Sequence, residues 1–269
     1  MLHEYQETIT YYDELNDDFG DTIQKVVPLP KRYKIYSKNF FVALFNFFIY
    51  WIIVRPIAII YMKIKFHYKV KNKKAFKEAR KTGYFVYTNH TMIVGDAFAA
   101  NMMDYHKRNY IITGPEVSSL TKILFLLRGI GSLPITTDLG RNKELVEALR
   151  YIILKKKNVV TIYPEAHIWP YYTGIRNFRS ESFKYAVNMD VPIFVVTNCF
   201  TKKKHGKTPK VTAYVSGPIY PDKNLGKREA TQKLRDIAYK NMKNTAEKYS
   251  TYKFYNYVNG NEVKDDGEN

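Results

Sequence analysis

A histidine and an aspartate lie close together directly after an apolar run, in the segment Thr88-Asn89-His90-Thr91-Met92-Ile93-Val94-Gly95-Asp96. A neutral imidazole can accept a hydroxyl proton, and a carboxylate on its other ring nitrogen fixes the tautomer and stabilises the imidazolium that forms. Gly95 would let the chain turn so that Asp96 can reach His90. The alternative is structural, with His90 capping the next helix and Asp96 solvated, and for an isolated pair that alternative is preferred.

A second polar motif also follows an apolar strand-like run. Pro164 and Glu165 come directly after Val159–Tyr163. The loop beyond Glu165 contains three basic residues of interest, which are Arg176, Arg179 and Lys184. Guanidinium groups beyond a strand end suit a phosphate monoester. The alternative is an ordinary turn that carries a solvated acid.

Both motifs need strands to position them, and the sequence predicts a suitable sheet. Five short apolar runs are typical of buried strands: Tyr84–Thr88, Tyr110–Thr113, Val159–Tyr163, Ile193–Thr197 and Val211–Val215. The spacing of apolar residues predicts helices over residues 118–131, 142–156 and about 227–249. This alternation indicates an α/β fold with a mostly parallel central sheet flanked by helices. In such sheets, sites form beyond the carboxyl ends of strands, where both motifs stand.

The most apolar part of the chain is Phe40–Met62, in which the 15 residues Phe40–Val54 have only Asn46 as a polar interruption. As a helix those residues would span roughly 22 Å, less than the roughly 30 Å hydrocarbon core of a bilayer. Arg55 and Pro56 follow, and Pro56 predicts a kink or an end of the helix. We expect a helix or kinked helix pair in the membrane interface. A buried core helix of a soluble protein and a single full span are the alternatives.

These features divide the chain into four parts. Residues 1–36 form an acidic arm that we expect to be loose, and residues 37–68 contain the apolar membrane-contacting segment. Residues 69–258 form the α/β domain, and residues 259–269 form a polar tail that we expect to fray.

The charge distribution is strongly uneven. The formal net charge is +18, although residues 1–21 hold seven acids and no Lys or Arg. The basic body should attract anionic lipid, phosphate-bearing substrates or nucleic acid. The one cysteine, Cys199, excludes an intrachain disulfide and a zinc site of several thiolates, and Asp104 and His106 lack a third metal ligand. We therefore predict no metal site, and the absence of a secretory signal predicts the cytoplasmic face of a membrane.

Four blocks of sequence resemble, in order, the motifs of the glycerolipid acyltransferase family, which contains the 1-acylglycerol-3-phosphate acyltransferases. The blocks are Asn89-His90 with Asp96, Gly131–Ile135, Tyr163–Glu165 and Val191–Val196. The first has five residues between His and Asp where the family has four. The second lacks the family's Arg, and the third has Ala166 in place of Gly. The resemblance covers roughly residues 63–221.

The resemblance implies transfer of a fatty acyl group from acyl-CoA or acyl carrier protein to the hydroxyl of lysophosphatidate or a related lysolipid. His90 would be the base and Asp96 its orienting carboxylate, with no cofactor besides the donor thioester. The substrate-binding candidates are Asn89, Gly131, Ser132, Pro164, Glu165, Arg176, Arg179 and Lys184. Glu165 would order its loop or bind the acceptor glycerol.

Two other functions stay open at this point. A non-catalytic peripheral membrane protein could bind anionic lipid through its basic surface and residues 40–62. Nucleic-acid binding is a weaker alternative, because the aromatic residues lie mostly in apolar segments where core and membrane contacts explain them better.

Overall fold

The apolar runs that predicted buried strands form the centre of a seven-stranded sheet in the computed structural model, which describes residues 7–20, 26–120 and 122–262. In chain order its strands are β2 (Lys69–Lys71), β3 (Tyr84–Thr88), β4 (Asn109–Thr113), β5 (Ser132–Pro134), β6 (Val159–Ile162), β7 (Ile193–Thr201) and β8 (Lys210–Ile219). Their spatial order is β2-β8-β7-β3-β6-β4-β5. Only the β7–β8 pair is antiparallel, so the predicted mostly parallel sheet is confirmed.

Helices cover both faces of this sheet. They are α1 (Phe40–Phe48), α2 (Arg55–Phe66), α3 (Gly95–Met103), α4 (Leu124–Gly129), α5 (Leu139–Arg150), α6 (Lys184–Met189) and α7 (Lys227–Tyr249). Phe85 and Tyr87 of β3 pack in one core with α5, α6 and α7, whereas Tyr84 and Val86 pack on the other face with α2 and α3. All five β3 residues are buried, as expected of a strand covered on both sides.

The apolar segment forms one helix that is longer than predicted. A π-helical stretch, Ile49–Val54, joins α1 to α2, so the helix continues from Phe40 to Phe66 without ending at Pro56. The predicted end of the helix at Pro56 was wrong, because Pro56 lies in the first turn of α2, after the π-helical stretch has changed the hydrogen-bond register. The helix is long and apolar enough to cross a membrane, and only 22% of its most apolar window is buried. The helix is therefore mostly exposed and is not buried in the core of this fold.

The described part of the N-terminal arm, residues 7–20, departs from the predicted loose arm, whereas residues 263–269 of the predicted fraying tail lie outside the described residues. Residues Glu7–Tyr11 form β1, which pairs in parallel with β9 (Tyr255–Asn259) in a separate two-stranded sheet. The acidic arm is also fixed through side chains, since the Trp169 indole donates to the Asp17 carbonyl at 2.8 Å. Aromatic packing of Phe19 and Tyr257 around Trp169 holds this sheet on the body. The acids among residues 7–20 therefore did not keep this part of the arm loose.

The helix predicted over residues 118–131 is shorter in the structure. A 3-10 turn covers Pro115–Ser119, and α4 begins only at Leu124. Ile123, Phe125 and Leu126 of the apolar run are exposed, so the run does not bury a single face as the spacing predicted. Phe125 instead contacts Phe45 of α1, with 5.3 Å between ring centroids.

Candidate active site

The two polar motifs meet because β3 and β6 are adjacent and parallel. Tyr87 of β3 is level with Ile162 of β6, so His90 and Glu165 both follow their strands at the same edge of the sheet. The His90 backbone N–H donates to Glu165 Oε2 at 2.9 Å. One hydrogen bond thus joins the two strand ends that the sequence singled out.

His90 and Asp96 form a direct pair. The distance from His90 Nδ1 to Asp96 Oδ2 is 2.8 Å, and the imidazole is 17% exposed whereas the carboxylate is 2% exposed. A carboxylate only accepts hydrogen bonds, so Nδ1 carries the proton in the neutral imidazole and Nε2 keeps its lone pair. The arrangement can therefore take a proton from a hydroxyl at Nε2 while Asp96 stabilises the resulting imidazolium.

The five residues between His90 and Asp96 are accommodated by a turn. Asp96 lies in the first turn of α3, and its Oδ2 also accepts the backbone N–H groups of Thr91 at 2.8 Å and Met92 at 2.9 Å. Gly95 provides space, because a Cβ there would lie 2.9 Å from the Met92 Cβ and 3.1 Å from Phe66 Cε2. Gly95 therefore acts through close packing, and the longer spacing does not separate the pair.

Tyr163, the residue directly before Pro164, contacts both His90 and Asp96. Its ring stacks on the His90 imidazole with 4.4 Å between centroids and 28° between planes. Its hydroxyl donates to the Asp96 backbone carbonyl at 2.6 Å. Burial raises the pKa of Tyr163 well above the ordinary tyrosine value, so the hydroxyl stays protonated as a donor.

Glu165 is buried and holds the loop after β6. Its Oε1 accepts the Arg176 backbone N–H at 3.0 Å, and its Oε2 lies 3.8 Å from the Arg176 guanidinium. Burial raises the pKa of the Glu165 carboxyl, while the Arg176 charge and the two backbone N–H donors lower it. The geometry favours the loop-ordering role that was one of the two predicted for Glu165, since the carboxylate faces backbone and not solvent.

Arg176 has a different position from the one predicted for a phosphate-binding cation. Its side chain is 1% exposed, and its guanidinium donates to the carbonyls of Glu14 and His167. These partners and Glu165 leave it no open side for a substrate phosphate, so that prediction was wrong for Arg176. Arg179 and Lys184 are exposed, and no contact links either to His90 in the described part of the chain.

The backbone at Ala166 has a conformation that suits glycine, the residue of the family motif at this position. Ala166 has φ = 65°, in the left-handed region that favours glycine. Its N–H donates to the Tyr163 carbonyl at 3.1 Å, which closes a tight turn around Pro164. Pro164 is partly buried in this turn. The position therefore needs the backbone conformation of the family motif even though its residue differs.

Gly131 and Ser132 lie far from His90. Ser132 begins β5, which is separated from β3 by β6 and β4, and strands about 4.8 Å apart place it roughly 14 Å away across the sheet. The register Ile111–Ser132 also puts it level with the middle of β3, before the catalytic edge. The Gly131 N–H donates to the Arg128 carbonyl at 3.1 Å. Neither residue is part of the His90 arrangement, and their predicted contact with substrate stays a prediction.

Asn89 is a structural residue between two strands. Its side-chain amide donates to the Asn198 carbonyl at 3.1 Å and accepts the Asn198 N–H at 2.8 Å. Tyr68 completes this buried group by donating to Asn198 Oδ1 at 3.0 Å. The predicted substrate contact of Asn89 is not supported, since both ends of its amide are used to fix β3 to β7.

The family model for acyltransferases matches residues 67–198, which contain the whole His90, Asp96 and Glu165 arrangement. Residues 67–198 belong to the acyltransferase family. Among solved structures, the acyltransferase is similar to the 1-acyl-sn-glycerophosphate (LPA) acyltransferase PlsC from Thermotoga maritima, with a TM-score of 0.53 and 13% identity. That match covers 76% of this chain and 87% of the other and shows the fold. No curated protein matches the sequence.

Four residues of this acyltransferase's site were not among the candidates that the sequence predicted. Asn198 was signalled only as a polar residue inside an apolar strand, and Tyr163 only as the aromatic member of a motif. Tyr68 had no signal, because only the tertiary fold brings its hydroxyl to Asn198 of β7. Trp169 also contributes, since its N–H donates to the His90 carbonyl at 3.2 Å.

Proposed function

We propose that this acyltransferase moves a fatty acyl group from a thioester, either acyl-CoA or acyl carrier protein, to the hydroxyl of lysophosphatidate or a related lysolipid in phospholipid synthesis. The observation that carries the proposal is the 2.8 Å contact of His90 Nδ1 with Asp96, which leaves Nε2 as a base at the surface of the site. The family and the fold support this class of reaction. The reaction needs no cofactor besides the donor.

The proposed step is direct transfer. Nε2 of His90 takes the proton of the acceptor hydroxyl as that oxygen attacks the thioester carbonyl carbon, and Asp96 stabilises the imidazolium. The tetrahedral intermediate then collapses, the carbon–sulfur bond breaks, and the imidazolium returns its proton to the leaving thiolate. A positioned base of this kind typically contributes about 100- to 10,000-fold.

Arg179 and Lys184 are the proposed cations for the acceptor phosphate. Arg179 lies on the loop that Arg176 and Glu165 order, Lys184 begins α6 directly after that loop, and both side chains are exposed. A guanidinium suits a phosphate because it can donate two parallel hydrogen bonds. Neither residue has a carboxylate partner among the described ion pairs.

We also propose that the helix from Phe40 to Phe66 holds the enzyme on a membrane surface. Its polar residues Asn46 and Arg55 are buried against the body, and Arg55 donates to the carbonyls of Asp104 and Tyr105. Apart from Lys63 and Lys65 in its last turn, its outward residues are apolar, with Phe41 77% exposed and Ile64 72% exposed. A helix that turns its polar side inward and its apolar side outward suits lipid better than water.

The test is acyl transfer from labelled acyl-CoA to a panel of lysolipids, followed by product mass analysis. We expect His90→Ala to lower kcat by about 100-fold or more, since the base is removed. Asp96→Asn should be strongly impaired as well, because an amide can stabilise the wrong imidazole tautomer.

His106→Ala is the matched control for the catalytic variants. His106 is exposed and precedes β4, so it lies at the opposite edge of the sheet from His90. The control should transfer acyl groups at the wild-type rate. Equal rates for wild type and His90→Ala would remove His90 from the mechanism. If wild type and all variants bind vesicles but none transfers acyl groups, the result would favour a non-catalytic lipid-binding protein.

A further inference from the structure

The loop between β7 and β8 is strongly basic and is fixed to the end of the apolar helix. Residues 202–210 have the sequence KKKHGKTPK, with five lysines and no acid. The Thr208 hydroxyl donates to the Lys65 carbonyl at 2.8 Å, and Lys203 Nζ donates to the same carbonyl and to Thr208 Oγ1. Lys65 lies in the last turn of α2. The basic loop and the helix end therefore form one surface.

That surface has a large unopposed positive charge. Residues 22–77, which include the helix, carry 13 Lys or Arg and no Asp or Glu, and no acid occurs between Asp190 and Asp222. Lys202, Lys204 and Lys207 are exposed, as are Lys63 and Lys65 at the helix end. Burial lowers the pKa of Lys203, and the neighbouring charge of Lys65 lowers it further. No Asp or Glu in these segments neutralises the clustered lysines, so this surface attracts anions.

The same surface is next to exposed apolar residues. Ile60 and Ile64 are 58% and 72% exposed and lie within a turn or so of Lys65. Apolar side chains beside lysines match a bilayer, in which acyl chains lie just below anionic headgroups. The loop also projects past the catalytic edge, because β7 continues to Thr201 whereas the level of His90 is near Asn198. At about 3.3 Å per residue, the first loop lysine is roughly 13 Å beyond His90, too far for the phosphate next to a reacting hydroxyl.

We propose that the lysine loop, residues 202–207, binds the anionic headgroups of the membrane on which the enzyme works, and orients the catalytic edge toward that surface. This inference rests on the proposed function for its purpose, since the loop would bring His90 to the layer that contains the acceptor. The occupant is an anionic phospholipid surface, recognised by charge next to apolar side chains.

The test compares wild type with the triple variant Lys202→Gln, Lys204→Gln, Lys207→Gln in sedimentation with vesicles. Lys203 is left in place because it holds the loop on the helix. On vesicles that contain phosphatidylserine we expect the affinity of the variant to fall on the order of 100-fold, since each lysine near such a surface contributes about a fivefold factor. On pure phosphatidylcholine vesicles the two proteins should bind equally.

The matched control is Lys227→Gln, Lys240→Gln, Lys243→Gln, three exposed lysines of α7 on the opposite face of the sheet. It changes the net charge equally and should bind like wild type. Equal loss by both triple variants, or no loss by the loop variant, would overturn the proposal. An assay of acyl transfer in detergent tests whether the loop instead binds the phosphates of acyl-CoA. An unchanged KM for acyl-CoA in the loop variant supports membrane binding, and a raised KM would reassign the loop to the donor. Absent turnover by wild type would contradict the proposed function and leave the vesicle comparison valid.

Discussion

At the scale of single residues, the site depends on how tightly the imidazole is held. His90 is fixed at its ring by Asp96, at its N–H by Glu165 and at its carbonyl by Trp169. Tyr163 adds a stacked ring and a hydrogen bond to the backbone of Asp96. A base held on every side except Nε2 loses little rotamer freedom when the acceptor arrives, which is the condition for efficient positioning.

Tyr163→Phe tests this positioning role. The variant keeps the stacked ring but removes the hydroxyl hydrogen bond to the Asp96 carbonyl, at a cost of about 1 kcal/mol. We expect kcat to fall several-fold with little change in KM, because the pair is loosened while the substrate contacts stay. Tyr220→Phe, at an exposed position, is the control. A Tyr163→Phe enzyme with wild-type kcat would limit Tyr163 to packing.

At the scale of elements, the loop between β6 and α6 is fixed by one buried ion pair. The Glu165 carboxylate accepts backbone N–H groups from both His90 and Arg176, so it connects the ends of β3 and β6. A buried carboxylate is stable in this place only with its cation and donors present. The loop that carries Arg179 and leads into Lys184 of α6 therefore takes its position from Glu165 and Arg176.

Arg176→Gln should lower the free energy of unfolding by about 3 kcal/mol or more, because it leaves Glu165 buried without its charge partner. The loss should grow as pH rises above the usual glutamate range. A carboxyl whose folded pKa is raised favours the fold while protonated, and this contribution disappears as pH passes that pKa. Thermal melts over a pH series measure the effect.

Arg179→Gln is the matched comparison three residues further along. Its exposed side chain predicts an unchanged melting temperature, and its proposed phosphate contact predicts a raised KM for the acceptor. A melting temperature lowered as much as in Arg176→Gln would contradict the assignment of the two arginines to different tasks.

At the scale of the whole molecule, the two chain ends pack together against the site. The arm contacts Trp169 through the Asp17 carbonyl, and Tyr257 of β9 stacks on the same ring with 4.9 Å between centroids. Trp169 is fully buried and its backbone N–H bonds to His90. The small β1–β9 sheet therefore supports the catalytic edge from outside the central sheet.

Removal of residues 1–20 should expose Trp169 and lower the free energy of unfolding by about 3 kcal/mol, the order expected when a large aromatic side chain loses its burial. A Trp51→Phe parent leaves Trp169 as the one tryptophan, so its fluorescence should shift to longer wavelength on truncation. An unshifted emission with an unchanged melting temperature would show that the arm does not cover this residue.

The sequence by itself determined the parts of the protein that depend on local pattern. Apolar period and length were enough for the strands at Tyr84–Thr88 and Val159–Ile162 and for α7, because burial on both faces gives continuous apolar runs. The spacing of polar residues after two of those strands identified His90, Asp96 and Glu165. The five residues between His90 and Asp96 were recognised from the sequence as a departure from the family motif. Whether the two side chains still meet could not be predicted from the sequence.

Only the tertiary structure decided which strands are neighbours and which charges are buried. The separation of Gly131 and Ser132 from His90 was not predicted because strand order is set by how helices pack, which no local pattern encodes. Arg176 and Arg179 are alike in sequence, and burial alone separates the structural arginine from the exposed one. The arm was expected to be loose from its acids, yet pairing of β1 with β9 depends on contacts 248 residues apart, such as Glu7 with Tyr255. Each of these outcomes depends on long-range packing, which the local sequence pattern does not encode.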